Sequence, residues 1–495
     1  QIPGCPYRPF VGNMVEARKS QAMTNCLKWM KKYNSKIIRF YFYGGEERLL
    51  VADPDIFRQV LVTNSKNYVR HQQATRLSDL IGALPLFSLS GEEHHVIRRL
   101  TNPAFSLKVL HGMIPVFKER VEKLVDIWSK LINESSTESN TKSRAQSSTE
   151  SRAQSSTESN TEHSTQSNTE CSTEKQEYKF AEVDVQFYLM SVTLDIICQV
   201  GFDYELGSLE NPGSAGEGKI KSLLNNIRPG LLDFLPFSDK IPTKTNKRFW
   251  RDSAFTKEFT EKLIEKRKER VSGSEKRDIL SILMDARDEK GSGLSDRQLI
   301  GHVFGFLVAG FETTNTSTTW ILLKLAENPR VQDKLRKEVT SILEECNYDI
   351  THDCLDRMKY LTCVIKETFR LLPPLTCLFK RAIADDIFKG YFIPKGTVVG
   401  LHIGALHRLN WEEGDEFIPE RFLDSGSVDG TLYVPFGFGP YMCIGHKFSM
   451  LEMKTILSIL ISKFVFDLVP DREYRRVQGV TMRPDPAVHL RISSL

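Results

Sequence analysis

Near the end of the chain a single cysteine, Cys443, stands in the run PFGFGPYMCIG (435–445). Four of its first six residues are glycine or proline, which rules out an ordinary helix or strand. Directly after Gly445 comes HKFSMLEMKTILSILISKF, in which Phe448, Leu451, Met453, Ile456, Ile459 and Leu460 are apolar at helical spacing. Cys443 therefore sits just before, or inside, the first turn of a buried helix. Free backbone N–H groups and the positive end of the helix dipole gather there, and both stabilise a thiolate. The plain alternative is a buried free cysteine.

Two further constellations carry chemistry. AGFETTNTSTT (309–319) places Gly310 and a series of hydroxyl side chains in an otherwise apolar stretch of helical text. Glycine there costs about 1 kcal/mol relative to alanine. Small residues at 309 and 310 leave room for something large, and threonine hydroxyls can bond backbone carbonyls. Glu312 beside Thr313 reads either as a packing notch with a solvent-reaching acid or as a proton relay facing a flat cofactor. In KETFRL (366–371), Glu367 and Arg370 are three apart and share a helix face. FIPERF (417–422) adds Arg421 from an irregular segment. One carboxylate held by two guanidinium groups is a structural clamp that is costly to break once buried.

These residues need elements to hold them. Text from Ser295 to Asn328 reads as one long helix, with Ser295 and Gln298 as a capping box and Asn328-Pro329 as the stop. It is apolar on most sides, so it runs through the centre of the molecule. Strand text (SKIIRFYFYG, RLLVAD, YFIPKGTVVGLHI) is short and scattered. The expected class is mainly α with a minor β part. Between 133 and 177 the chain is Ser, Thr, Glu, Asn and Gln, with RAQSSTES repeated in tandem, and reads as a disordered insertion within a single domain spanning 1–495.

The 495 residues are 40% apolar and 26% charged with net charge +4, too little to argue for nucleic acid. The insertion holds four basic residues against eight glutamates, so the remainder is more basic than the total. Nine scattered cysteines without paired spacing disfavour a zinc site or a disulfide framework and point to a reducing compartment. No run of about 18 apolar residues is present, so nothing in the text spans a bilayer. The opening IPGCPYRPFVGN is a Pro/Gly hinge, expected after a removed signal peptide or a trimmed anchor.

Taken in order, FGFGPYMCIG, AGFETT, ETFR with PERF, and the N-terminal hinge resemble the cytochrome P450 monooxygenases of eukaryotic microsomal type. The resemblance covers the whole chain except 133–177. It implies that fold, with the long central helix over the haem. Cys443 is then the metal ligand, the axial thiolate of haem b, which pushes electron density toward O–O cleavage as is established for this family. Phe436, Gly437 and Gly445 shape the loop around it. Thr313 and Glu312 become the catalytic pair, and Glu367, Arg370 and Arg421 the clamp.

Two departures stand out. The family usually has an arginine two residues before the cysteine to pair with a haem propionate, and this chain has Tyr441. The usual tryptophan of the propionate-binding helix is His94. Haem retention then falls to His94, Arg98 and a basic residue of FKRA, with Arg381 favoured over Lys380. Ala309 replaces the glutamate by which some members bind haem covalently, so no covalent attachment is expected.

The pocket walls implied are 77–87, Gly305, Val308, Ala309, Leu375 to Leu378, Val480 and Thr481, lining a site for a lipophilic small molecule. The partners implied are O2, a separate NADPH-dependent cytochrome P450 reductase docking on a basic face (Arg98, Arg99, Lys108, Lys447), and the membrane surface, touched by the loop 231–242. The expected location is the cytosolic face of the endoplasmic reticulum membrane. Two alternatives keep the fold: an isomerase or dehydratase acting on a lipid peroxide, and a non-catalytic haem- or ligand-binding protein.

Overall fold

In the computed structural model, which describes residues 1–19, 21–71, 84–150, 179–211, 218, 241–270, 278–287, 289, 291–423 and 430–495, the first strand text folds as a hairpin. β1 (Ile37–Tyr41) pairs antiparallel with β2 (Glu47–Val51), Ile37 opposite Val51, and β3 (Tyr68–Arg70) follows. Helices α1 (Gly91–Thr101) and α2 (Ile114–Glu150) lead to β4 (Phe180–Asp184), α3 (Val185–Phe202) and α4 (Lys244–Arg270). Next come α5 (Asp296–Glu327), α6 (Pro329–Glu345) and α7 (Lys359–Leu371). The chain closes with β5 (Leu378–Ala382), β6 (Val398–Leu401), α8 (Ile403–Leu409), α9 (His446–Lys463), β7 (Phe464–Leu468), β8 (Arg475–Gln478), β9 (Met482–Asp485) and β10 (His489–Ser494). The class is mainly α with a minor β part, as the sequence indicates.

The largest sheet has the order β1-β2-β6-β5-β3. Every residue of β6 is buried, as expected of a strand covered on both faces. On the far edge β3 runs antiparallel to β5 with Arg70 opposite Lys380 and Val69 opposite Arg381. Residues directly opposite share a face. This register therefore sets Arg70 beside Lys380 and sends Arg381 to the other side.

Helix α5 begins at a capping box in which the Ser295 and Gln298 side chains each receive the other's backbone N–H. Burial continues around nearly its whole circumference from Leu299 to Ala326. α3 lies directly against it. A Cβ on Gly310 would come within 2.9 Å of Ile197 Cγ1, and the Thr193 hydroxyl donates to the Phe311 carbonyl at 3.3 Å. The notch at Gly310 thus receives α3, and of the two small residues only Ala309 leaves open space. α3 itself has the length and hydropathy of a membrane span, yet 78% of that window is buried within the protein, as in a core helix.

At the insertion, the backbone of 133–150 continues α2 as helix, where composition alone leads one to expect disorder. The rest of the insertion lies outside the described residues, as do pocket residues 77–83 and loop residues 231–240.

Candidate active site

The Cys443 loop is held by backbone geometry that only particular residues permit. The Cys443 N–H donates to the Phe436 carbonyl at 2.8 Å, closing the loop on itself, and Gly437 N–H donates to Val434 O at 3.0 Å. Gly437 and Gly439 take φ of +74° and +69°, the left-handed region that favours glycine. Gly439 also lies so close to Leu61 that a Cβ would sit 2.2 Å from its carbonyl oxygen. Phe436 packs edge-on against Phe369 of α7 at 5.3 Å, which anchors the loop to the core.

Cys443 is enclosed by many protein atoms, yet its surface is exposed. Burial raises its pKa, while the Gly445 N–H, Arg98 and Arg70 oppose the rise by favouring the thiolate. Gly445 needs no special conformation. Its role is the N–H aimed at sulfur.

Beside the thiol lies a group of basic side chains. Lys380 is only 3% exposed, its Nζ has no hydrogen-bond partner, and it lies 3.8 Å from the centroid of the Tyr441 ring. Arg70, its neighbour across β3 and β5, has its guanidinium 5.1 Å from the same ring. His94 of α1 is buried with Nε2 unpartnered and its ring 4.4 Å from Tyr441. Arg98 donates to the Met442 carbonyl at 2.5 Å and to Asn102 at 3.0 Å. The charges that act on these groups are largely each other's. Burial and then Arg70 pull Lys380 down to about 7, and burial with Arg70, Arg98 and Lys380 pulls His94 down to about 4.

Arg381, the residue favoured from sequence, does not join this group. It donates to Gly396 O and lies 3.5 Å from Glu46, on the face of β5 away from Lys380. Adjacent strand residues point to opposite faces, and the register selects Lys380. Of the residues expected on the basic face, Arg98 and Arg99 belong to α1, Lys108 to a separate short helix (Leu107–His111), and Arg99 pairs with Glu289.

On α5, Ala309 is exposed within an otherwise buried helix and Thr313 is half-buried one turn on, so this stripe faces open space. The Thr313 hydroxyl donates to the Ala309 carbonyl at 2.7 Å. Glu312 Oε1 accepts from the Thr481 hydroxyl at 2.8 Å, and Thr481 in turn meets Thr316 at 3.0 Å. Thr481, expected in the pocket wall, is fully buried and acts as a tether for Glu312. Gly305 lies tight against Pro85, where a Cβ would meet the proline at 2.5 Å. Val308 is buried, Val480 packs on the core, and Leu375 is 41% exposed. Thr314 reaches Ser449 at 3.3 Å, which joins α5 to the helix that begins just past Cys443.

Behind the loop, Glu367 and Arg370 are both fully buried. Arg370 uses all of its N–H groups: two toward the Glu367 carboxylate (2.7 and 2.9 Å) and the others to the carbonyls of His407, Gly414 and Glu416. Arg421 Nε reaches Glu367 Oε1 at 3.1 Å, and the Ile418 N–H donates to the same oxygen at 2.8 Å. The carboxylate thereby pins the segment leading into the cysteine loop against α7.

Sequence reasoning missed Arg70, a lone arginine closing a three-residue strand with no local pattern to mark it. It also missed Glu452 of α9, fully buried near Thr314, whose carboxyl burial pushes well above the usual range.

Comparison with known proteins places these features in company. The sequence profile of the family described as Cytochrome P450 matches residues 2–151 and 139–491. Cytochrome P450 4A6 of Oryctolagus cuniculus is 26% identical over 514 residues, spanning 100% of this chain and 90% of that protein. Cytochrome P450 3A12 of Canis lupus familiaris is 28% identical over 480 residues, spanning 94% of this chain and 85% of that protein. Among solved structures, one described as retinoic acid bound cyanobacterial CYP120A1 superposes with a TM-score of 0.78 at 23% identity, covering 100% of this chain and 99% of the other, a likeness of fold.

Proposed function

Because the chain belongs to the cytochrome P450 family and is a P450 monooxygenase, we propose that it inserts one oxygen atom from O2 into a lipophilic small molecule at a haem b held by Cys443, with electrons from a separate NADPH-dependent cytochrome P450 reductase. The observation that carries this reading is the group of buried Lys380 and His94 with half-buried Arg70 and Arg98 beside an accessible thiol. Arg70, Arg98 and Lys380, gathered without a carboxylate among the groups acting on them, fit a ligand that brings two negative charges, as haem does with its propionates. The orphaned Lys380 Nζ and His94 Nε2 fit it as well.

When bound, the haem supplies the activation of O2. The chain's own residues do the rest. Cys443 offers the thiolate, favoured by the Gly445 N–H and the two arginines. Arg70, Arg98, Lys380 and His94 would hold the propionate side. Ala309 leaves the open stripe of α5 free of bulk, and Thr313 holds a proton on its hydroxyl at that stripe. Glu312, fixed by Thr481, stands next to it as an acid able to resupply that proton. The exposed apolar Leu375, with Ala309, supports a lipophilic substrate. The Pro/Gly hinge, where Phe10 is 84% exposed, supports attachment to a membrane surface, in our reading the cytosolic face of the endoplasmic reticulum.

The test is reconstitution with NADPH, a cytochrome P450 reductase and a panel of fatty acids, sterols and terpenoids. Oxygenated product that requires both NADPH and the reductase is expected. Turnover of lipid hydroperoxides without either, and none with them, would overturn the monooxygenase reading in favour of a peroxide-rearranging enzyme.

A further inference from the structure

We propose that Cys346 and Cys354 form a reversible redox site, in which a hydroperoxide oxidises the Cys346 thiol and the Cys354 thiol then closes a disulfide to it.

Seven residues separate the two cysteines in CNYDITHDC (346–354), and the backbone turns that span back on itself. Helix α6 ends at Cys346 in a left-handed cap, where the Tyr348 N–H donates to Leu343 O at 2.8 Å and the Asn347 N–H to Glu344 O at 3.0 Å. Asn347 and Tyr348 take φ of +51° and +58°, a conformation that a side chain as bulky as tyrosine keeps only where its surroundings impose it. Thr351 then opens the short helix His352–Arg357, its hydroxyl accepting the Cys354 N–H at 3.2 Å. These two caps return the chain so that the Cys354 thiol donates a hydrogen bond to the Cys346 sulfur. Arg357 Nη1 donates to the same sulfur at 3.7 Å.

The two thiols are not equivalent. Cys346 is half-buried with a guanidinium at its sulfur, the setting in which cysteines react. Cys354 is buried, and burial together with its contact to Cys346 pushes its thiol up to about 12, so it keeps its proton until the partner sulfur has been oxidised. In the first step the Cys346 sulfur attacks one oxygen of the hydroperoxide, the O–O bond breaks, and an alcohol, or water from hydrogen peroxide, leaves with the thiol proton. A sulfenic acid remains on Cys346. In the second step the Cys354 sulfur attacks that sulfur, the S–O bond breaks, and the hydroxyl leaves as water with the Cys354 proton. The thiols are oxidised by two electrons and the peroxide is reduced by two. A transient link of this kind suits a reducing compartment, where a lasting disulfide does not persist.

The test treats the purified full chain with hydrogen peroxide, alkylates the remaining thiols, and digests with trypsin, which releases both cysteines on one peptide, Glu338–Arg357. In wild type that peptide should appear unalkylated and lighter by the two thiol hydrogens, and dithiothreitol should restore alkylation at both positions. In Cys354→Ser, Cys346 should accumulate as a sulfenic acid trapped by dimedone. In Cys346→Ser, Cys354 should stay reduced and alkylatable after denaturation. The proposal is overturned if peroxide leaves the wild-type peptide alkylated at both cysteines, or if Cys346 proceeds to the sulfinic acid while Cys354 stays free. It is overturned equally if Cys354 is oxidised as fast in Cys346→Ser as in wild type.

Discussion

At the residue scale each side chain's role follows from what it is bonded to. The Thr313 hydroxyl needs only the Ala309 carbonyl, so Thr313→Ala removes one hydrogen bond internal to the helix and leaves packing intact. A positioned proton donor is worth about 10²–10⁴ in rate. The variant should therefore keep consuming NADPH while product per NADPH falls about 10-fold or more; unchanged coupling would remove Thr313 from the chemistry. The roles of single residues were only partly legible in the sequence. Glu312 and Thr313 announce themselves because acid and alcohol are out of place in apolar helical text. Arg381 and Lys380 are neighbours in a strand whose flanks are apolar on both sides, so LFKRA carries no alternation to say which one faces inward. Only pairing with β3 decides it. The bond from Thr481 to Glu312 was not legible, because the two lie far apart in sequence and such a contact leaves no local trace.

At the element scale, two junctions hold the site. Where α3 crosses α5, the Gly310 notch admits Ile197. Gly310→Val should cost about 1–3 kcal/mol by overpacking, measured by chemical denaturation, and Ile197→Ala should recover part of that loss in a double-mutant cycle. Simple additivity would show that the two side chains do not compete for one space. At the second junction, removing one partner of a buried ion pair strands the other. Glu367→Gln should lower stability by about 3–5 kcal/mol and release the cysteine loop, seen as a larger haem-free fraction after purification. A change within about 1 kcal/mol would mean that the carbonyl bonds of Arg370 suffice without the carboxylate. Elements with strong local signals were legible: the capping box and the Asn328-Pro329 stop bracket α5 as read. The end of α2 was not, because low apolar content marks a segment that cannot form a core yet does not forbid helix as an extension of one already nucleated.

At the scale of the whole molecule, buried histidines tie stability to pH. Burial holds His402 at about 4 and His407 at about 3, against about 6.5 in an unfolded chain. His407 accepts the Val434 N–H at 3.0 Å and His402 the Ala405 N–H at 3.0 Å, so both serve in the neutral form. Folded pKa values below the unfolded value mean that this contribution is present above about pH 6.5 and is lost as pH falls toward 4 and then 3. Unfolding at about pH 5 should accordingly take up protons, and the denaturation midpoint should drop across that window. A midpoint flat between about pH 7 and about pH 4 would show these rings to be accessible in the folded state.

The family membership came through in the sequence because its motifs lie in short contiguous runs. The basic group around Tyr441 did not, because β3, α1, β5 and the cysteine loop must all fold before its members meet. The central claim concerns that meeting place, and the most direct measurement is the absorbance difference spectrum of dithionite-reduced protein with and without carbon monoxide, for wild type and Cys443→Ala. The account predicts a strongly red-shifted Soret band in wild type that disappears in the variant. A wild-type protein with no haem band, or with a band typical of histidine ligation, would contradict it.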